Sequence, residues 1–112
     1  MSHIHTCLEC KVRISFSIWE SQSARLRSAQ IQQDEMQTKV EEAYAEYYEF
    51  QAEMSPPHIM ESAQARINDF ATKLRAAQWV VSSANSDLTS AQVQYEKAYK
   101  AWEMANKWLI YM

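Results

Sequence analysis

The sequence contains no glycine, although a chain of this length with average composition would contain about eight. This absence excludes the usual forms of the P-loop, the dinucleotide-binding turn and the nucleophile elbow, because each places glycine where the backbone turns sharply. It also disfavours tight β-hairpins, whose turns need positive φ angles. Function classes that depend on these motifs are therefore not expected.

Cysteine is also scarce, since the chain has only Cys7 and Cys10. Two cysteines this close together are too few for a disulfide framework. No basic stretch followed by an apolar core marks a secretory signal, and no apolar run approaches the roughly 18 residues that span a bilayer. We expect a cytoplasmic protein, or a subunit of a particle or of an assembly secreted without a leader.

The second half of the chain has an apolar residue at every step of a three-four repeat. This seam is typical of a coiled coil, and its many alanines allow a partner helix to approach closely. The steps from Met60 meet Ala63, Ile67, Phe70, Leu74, Ala77, Val81, Ala84, Leu88, Ala91, Tyr95, Ala98, Trp102, Ala105, Leu109 and Met112.

A second seam starts at Trp19 and is apolar except for two glutamines. Its steps are Gln22, Leu26, Ala29, Gln33, Met36, Val40, Ala43, Tyr47, Phe50 and Met54. The adjacent Pro56 and Pro57 end it, because a proline restrains the residue before it and suits the first turn of a new helix. We predict an all-α fold, a long antiparallel helical hairpin with an alanine-rich seam: helix one over 19–54, a corner at 55–57 and helix two over 58–112. Facing residues should then have numbers that add to about 110.

Two parts of this hairpin leave an alternative open. The polar residues around Asn85 and Asp87 compete with helix by local hydrogen bonding, so helix two has a possible break there; the unbroken phase of its seam favours continuity. Residues 1–18 are predicted to be extended, because Val12, Ile14, Phe16 and Ile18 alternate with polar residues as in a half-buried strand. The alternative is that residues 4–18 continue the first helix.

The predicted helices differ in length, at about 54 Å and 82 Å. About the last 20 residues of helix two would therefore extend beyond helix one. This overhang is rich in aromatic side chains, which are common anchors of protein interfaces. We expect its anchors, together with the four apolar strand residues, to contact another chain. They are Tyr95, Tyr99, Trp102, Trp108, Leu109 and Tyr111.

Residues that carry chemistry are few. His3, His5, Cys7 and Cys10 are zinc-type ligands, but the chain has no second ligand pair, and we expect free thiols and surface histidines. No nucleophile, general base and orienting group converge in the sequence. We therefore expect no catalytic residue, no bound metal and no cofactor.

The net charge of −3 gives no general attraction to nucleic acid or anionic membranes. We expect a non-catalytic assembly subunit with protein partners, without nucleic acid, a membrane span or a small-molecule substrate. The alternatives are an adaptor or secretion-type chaperone that holds a partner's amphipathic helix, and a small metal-binding regulator. No motif assigns a family, although the predicted architecture resembles the needle and filament subunits of type III secretion and the WXG-type substrates of type VII secretion.

Overall fold

The protein is an antiparallel hairpin of two long helices. The computed structural model describes the backbone of residues 2–111 and the side chains of residues 8–107. Helix α1 covers Ser2–Ala52 and helix α2 covers Pro57–Tyr111. The predicted all-α hairpin is confirmed, and α2 continues without a break through Asn85 and Asp87.

The extended segment predicted for residues 1–18 is wrong, because residues 2–18 belong to α1. The apolar seam continues backwards from Trp19 in steps of four, three and four residues, and the side chains it meets are half-buried: Ser15, Val12 and Leu8. These three positions follow the spacing of a helix, and the segment is helical although its apolar and polar residues alternate as in a strand. A helix pairs its own backbone groups, so this segment needs no strand from another chain. The side chains that created the alternation remain exposed: Ile14, Phe16 and Ile18.

The predicted overhang of helix two is also wrong, because α1 begins at Ser2 and not at residue 19. Helix α1 has 51 residues and α2 has 55, so the two helices are similar in length. Leu8, Lys11 and Phe16 of α1 lie beside residues 94–101 of α2. Helix α1 therefore covers surface that the shorter predicted helix would have left to a partner chain.

The core consists of small and branched side chains on the two predicted seams. The buried residues among those described are Ala29, Val40, Ala43, Ala63, Ile67, Ala84 and Ala91. Every one of them is a predicted seam position. Five of the seven are alanines, none of them more than 7 % exposed, as expected where two helix backbones approach closely.

The corner between the helices places a non-glycine residue in the left-handed region. Met54 has a φ angle of 55°. The Ser55 amide donates to the Phe50 carbonyl at 3.0 Å and the Met54 amide donates to the Gln51 carbonyl at 3.1 Å. This pair of bonds is the Schellman motif, which usually has glycine at the left-handed position. Since the chain has no glycine, methionine occupies it.

Helix α2 begins immediately after this turn with a rigid first residue. The carbonyl of Pro56 accepts hydrogen bonds from the amides of Ile59 and Met60, at 3.0 and 3.2 Å. Pro57 is the first residue of α2, where its missing N–H costs no helical hydrogen bond. The two prolines therefore end one helix and start the next.

The hairpin divides into two units, each of which contains parts of both helices. The terminal unit comprises Met1–Leu26 with Ser83–Met112, and the corner unit comprises Arg27–Ser82. In the terminal unit Arg25 donates to Asp87 at 2.6 Å, and in the corner unit Arg66 donates to Glu46. The numbers of each pair add to 112, close to the predicted register.

Candidate interaction surface

An aromatic cluster joins the two helices of the terminal unit. Phe16 and Trp19 of α1 lie 5.5 and 5.9 Å from the ring of Tyr95 in α2, measured between ring centroids. The contacts continue along α2 from Tyr95 to Tyr99 at 6.2 Å and from Tyr99 to Trp102 at 5.8 Å. These separations are in the range of favourable aromatic pairs. The cluster therefore stabilises the packing of α1 on α2.

The predicted interface residues differ in exposure: some are half-buried within the chain and others are exposed to solvent. Tyr95, Trp102 and Val12 are half-buried within the chain, whereas Tyr99 is 42 % exposed. The side chains of Trp108, Leu109 and Tyr111 lie outside the described residues, although all three belong to α2. Sequence reasoning thus places Tyr95 and Trp102 on an open surface, whereas both are half-buried and Tyr95 packs against α1.

Two isoleucines on α1 form an exposed apolar patch in the terminal unit. Ile14 is 60 % exposed and Ile18 is 49 % exposed. Because they are four residues apart, they lie on the same face of the helix. Single exposed apolar residues are normal on a protein surface, whereas this pair forms a continuous apolar patch, and Ile14 also lines a groove.

The groove beside this patch lies between α1 and α2 and has a volume of about 340 Å³. Its α1 wall includes Ile14 and Lys11, and its α2 wall includes Lys97 and two small residues, Ala98 and Ala101. Neither lysine forms an ion pair within the described residues, and no carboxylate lines the groove. The groove therefore combines an apolar floor with two unpaired positive charges. Its complete lining is Leu8, Lys11, Ile14, Ser15, Gln94, Lys97, Ala98 and Ala101.

The corner unit carries a second surface, the tyrosine face of α1. The rings of Tyr44 and Tyr48 stack at 6.3 Å with an interplanar angle of 24°, and the two residues are 45 % and 59 % exposed. The surrounding stretch is acidic. Residues 34–53 contain seven carboxylates, Asp34, Glu35, Glu41, Glu42, Glu46, Glu49 and Glu53, against one lysine. The tyrosine face therefore lies on an acidic stretch of α1.

In the corner unit, two lysine side chains lie close to the ring of Phe70. The ammonium groups of Lys73 and Lys39 lie 5.5 and 5.9 Å from the centroid of the Phe70 ring. This distance is within the range of cation–π attraction. Lys73 also pairs with Asp69 at 3.1 Å, so its charge is shared between a carboxylate and a ring.

Most of the possible metal ligands near the amino terminus have side chains outside the described residues. Cys10 is a free, exposed thiol, while the side chains of His3, His5 and Cys7 lie outside the described residues. Among the described residues, no three His, Cys, Asp or Glu side chains are grouped to hold a metal ion. Two of the nearby arginines have carboxylate partners, Glu9 for Arg13 and Asp87 for Arg25.

Sequence reasoning missed the groove because it treated residues 1–18 as extended. The signal was present, since the seam that begins at Trp19 also includes Ser15, Val12 and Leu8. Reading it backwards places Lys11 and Ile14 beside the seam of a helix, where they meet α2. The sequence gives a weaker signal for the tyrosine face: Tyr44 and Tyr48 are four residues apart, and neither is a seam position.

Comparison with known proteins gives no functional assignment: no protein-family model, no curated protein and no solved structure matches the chain. Within the part of the chain that the structure describes, neither helix has a stretch that is long and apolar enough to cross a membrane.

Proposed function

We propose that this protein is a non-catalytic assembly subunit that acts through contacts with other protein chains, in a homo-oligomer or a larger complex. The observation that carries the proposal is the pairing of exposed apolar side chains on α1. Ile14 and Ile18 share one face in the terminal unit, and Tyr44 and Tyr48 share one face in the corner unit. Such patches on a soluble chain are typical of interaction sites.

The polar groups of the described residues support a structural role. The ion pairs between the helices, Arg25 with Asp87 and Arg66 with Glu46, lie at the surface and help to align α1 with α2. Exposed pairs of this kind contribute about 0.2–1 kcal/mol each. We propose that such a subunit works in the cytoplasm, within a particle or in an assembly secreted without a leader.

The proposal is tested by the mass of the purified chain in solution. We expect sedimentation equilibrium to give a multiple of the 13.1 kDa chain mass. A variant with Ile14→Glu and Ile18→Glu should sediment as a single chain with unchanged helicity, because charges on an apolar contact must lose their hydration on association.

The matched control is Ile31→Glu. Ile31 is 55 % exposed, like the two isoleucines of the patch, but the positions three and four residues away from it are polar: Arg27, Ser28, Asp34 and Glu35. This variant should keep the mass of the unmodified protein. Equal masses for the patch variant and the unmodified protein would contradict an assembly role for the patch.

The groove favours a second candidate, an adaptor that holds an amphipathic helix of another protein. Its small residues, Ala98 and Ala101, leave room for side chains from a helix, and Lys11 and Lys97 suit an acidic one. This candidate predicts a single-chain mass for the purified protein. It also predicts that a synthetic acidic amphipathic helix binds at a ratio of one to one.

A further inference from the structure

We propose that the partner in the groove of the terminal unit is a second copy of this chain, bound through the tyrosine face of its corner unit. This inference depends on the proposed assembly role and specifies its contact. One copy supplies Lys11, Lys97 and the apolar floor of the groove. The next copy supplies Tyr44, Tyr48 and the acidic residues beside them.

The charge of the groove determines which surface can enter it. Lys11 and Lys97 have no ion-pair partners among the described residues, and the groove lacks a carboxylate. If two copies met groove to groove, four ammonium groups would face one another, and like charges across an interface cost several kcal/mol. The occupant is therefore a surface of opposite sign, and the contact joins two different surfaces.

The tyrosine face has the required charge and shape. Glu41 lies three residues before Tyr44, on the same side of α1, and Glu49, which follows Tyr48, lies about 100° further around the helix, at the edge of the face. Neither glutamate has a cationic partner in the described residues. The stacked rings of Tyr44 and Tyr48 project apolar area that the small side chains of the groove leave room to bury.

Lysine suits both components of this face. Its ammonium group pairs with a carboxylate and is also attracted to the face of an aromatic ring. The chain shows both interactions at one lysine, since Lys73 lies 5.5 Å from the centroid of the Phe70 ring and 3.1 Å from Asp69. Lys11 and Lys97 would contact Tyr48 and its neighbouring glutamates in the same way.

Other exposed features match the groove less well. Trp79 is 72 % exposed, but Arg75 lies four residues before it and gives its surroundings the same sign as the groove. A second groove of about 350 Å³ in the corner unit includes both Glu35 and Lys73 in its lining. Its mixed charges do not select an acidic surface.

A contact between two different surfaces has a consequence for assembly. Each copy retains one unused groove and one unused tyrosine face, so further copies add until a ring closes or a filament grows. The contact is partly electrostatic, so added salt weakens it by screening. We expect the average mass of the protein to rise with concentration and to fall with ionic strength.

Charge-exchange variants of the full-length chain test the contact. The groove variant carries Lys11→Glu and Lys97→Glu, and the face variant carries Glu41→Lys and Glu49→Lys. Each places like charges on both sides of the contact, so each should associate at least about tenfold more weakly than the unmodified protein. An equimolar mixture of the two should recover association, because each variant then meets a partner of opposite sign.

The control variant reverses one charge in each unit outside the groove lining and off the tyrosine face, with Glu20→Lys and Arg75→Glu. It should associate like the unmodified protein, and circular dichroism should show equal helicity for all variants.

A mixture that remains monomeric would overturn the contact, as would a face variant that associates normally. If that face variant associates while Ile14→Glu with Ile18→Glu does not, the assembly role stands and the tyrosine-face contact is wrong. An unmodified chain that remains monomeric at low ionic strength overturns the contact between copies.

Discussion

The indole ring of Trp19 lies almost parallel to the phenol ring of Tyr95, with 5.9 Å between the ring centroids and 12° between the planes. This contact joins α1 to the segment of α2 that the sequence suggested would extend alone. The aromatic residues of the terminal unit therefore differ in their surroundings. Some pack the hairpin together, and others, such as Tyr99, remain exposed.

Replacing Trp19 should destabilise the hairpin. Trp19→Ala removes the contacts with Phe16 and Tyr95, and since Trp19 is half-buried we expect a loss of about 1–3 kcal/mol, below the range for a fully buried tryptophan. Urea unfolding followed by circular dichroism measures this loss. Trp79→Ala is the control, because Trp79 is 72 % exposed and its removal should change stability by less than about 0.5 kcal/mol. Equal losses for the two variants would contradict the role given to the aromatic cluster.

Glycine at the left-handed corner position should stabilise the protein. The Cβ atom of Met54 makes a φ angle of 55° unfavourable, and its side chain is 89 % exposed, so Met54→Gly removes strain without removing packing. We expect a gain of about 0.5–1 kcal/mol in the free energy of unfolding. Met104→Gly, at an exposed position within α2, should instead lose about 1 kcal/mol. A loss at both positions would show that the corner does not favour glycine.

Enlarging a seam alanine should force the two helices of the corner unit apart. Ala63 is 1 % exposed, so Ala63→Leu has no free space and should cost about 1–3 kcal/mol through overpacking. Ala65 is exposed on the same helix, and Ala65→Leu should be nearly neutral. Thermal unfolding of both variants makes the comparison. A stable Ala63→Leu variant would mean that the seam tolerates a wider separation of the helices.

The sequence predicts the hairpin well where the seam is long. Spacing alone assigns Ala63, Ile67 and Ala84 to the seam, and all three are buried. The paired prolines locate the corner because proline restricts its own backbone and that of the residue before it. These signals are local or strictly periodic, so a single sequence is enough to read them.

The amino-terminal segment shows where this reasoning fails. Val12, Ile14, Phe16 and Ile18 alternate as in a strand, yet short alternating runs also occur in helices that have exposed apolar residues. Only Val12 of the four lies on the seam. Longer-range packing decides the matter, because helix α2 offers a seam for Leu8, Val12 and Ser15 but no backbone groups for a strand. The groove could not be predicted while this segment was assigned to the wrong structure.

The single corner of the hairpin also affects the order in which its contacts can form. Arg66 and Glu46 are 20 residues apart in the chain, whereas Arg25 and Asp87 are 62 apart. Closing the longer loop alone costs about 1 kcal/mol more in chain entropy. Folding that begins at the corner and proceeds outward avoids this cost, because each turn that docks shortens the loop left for the next. The terminal unit would then be the last part to form and the first to open.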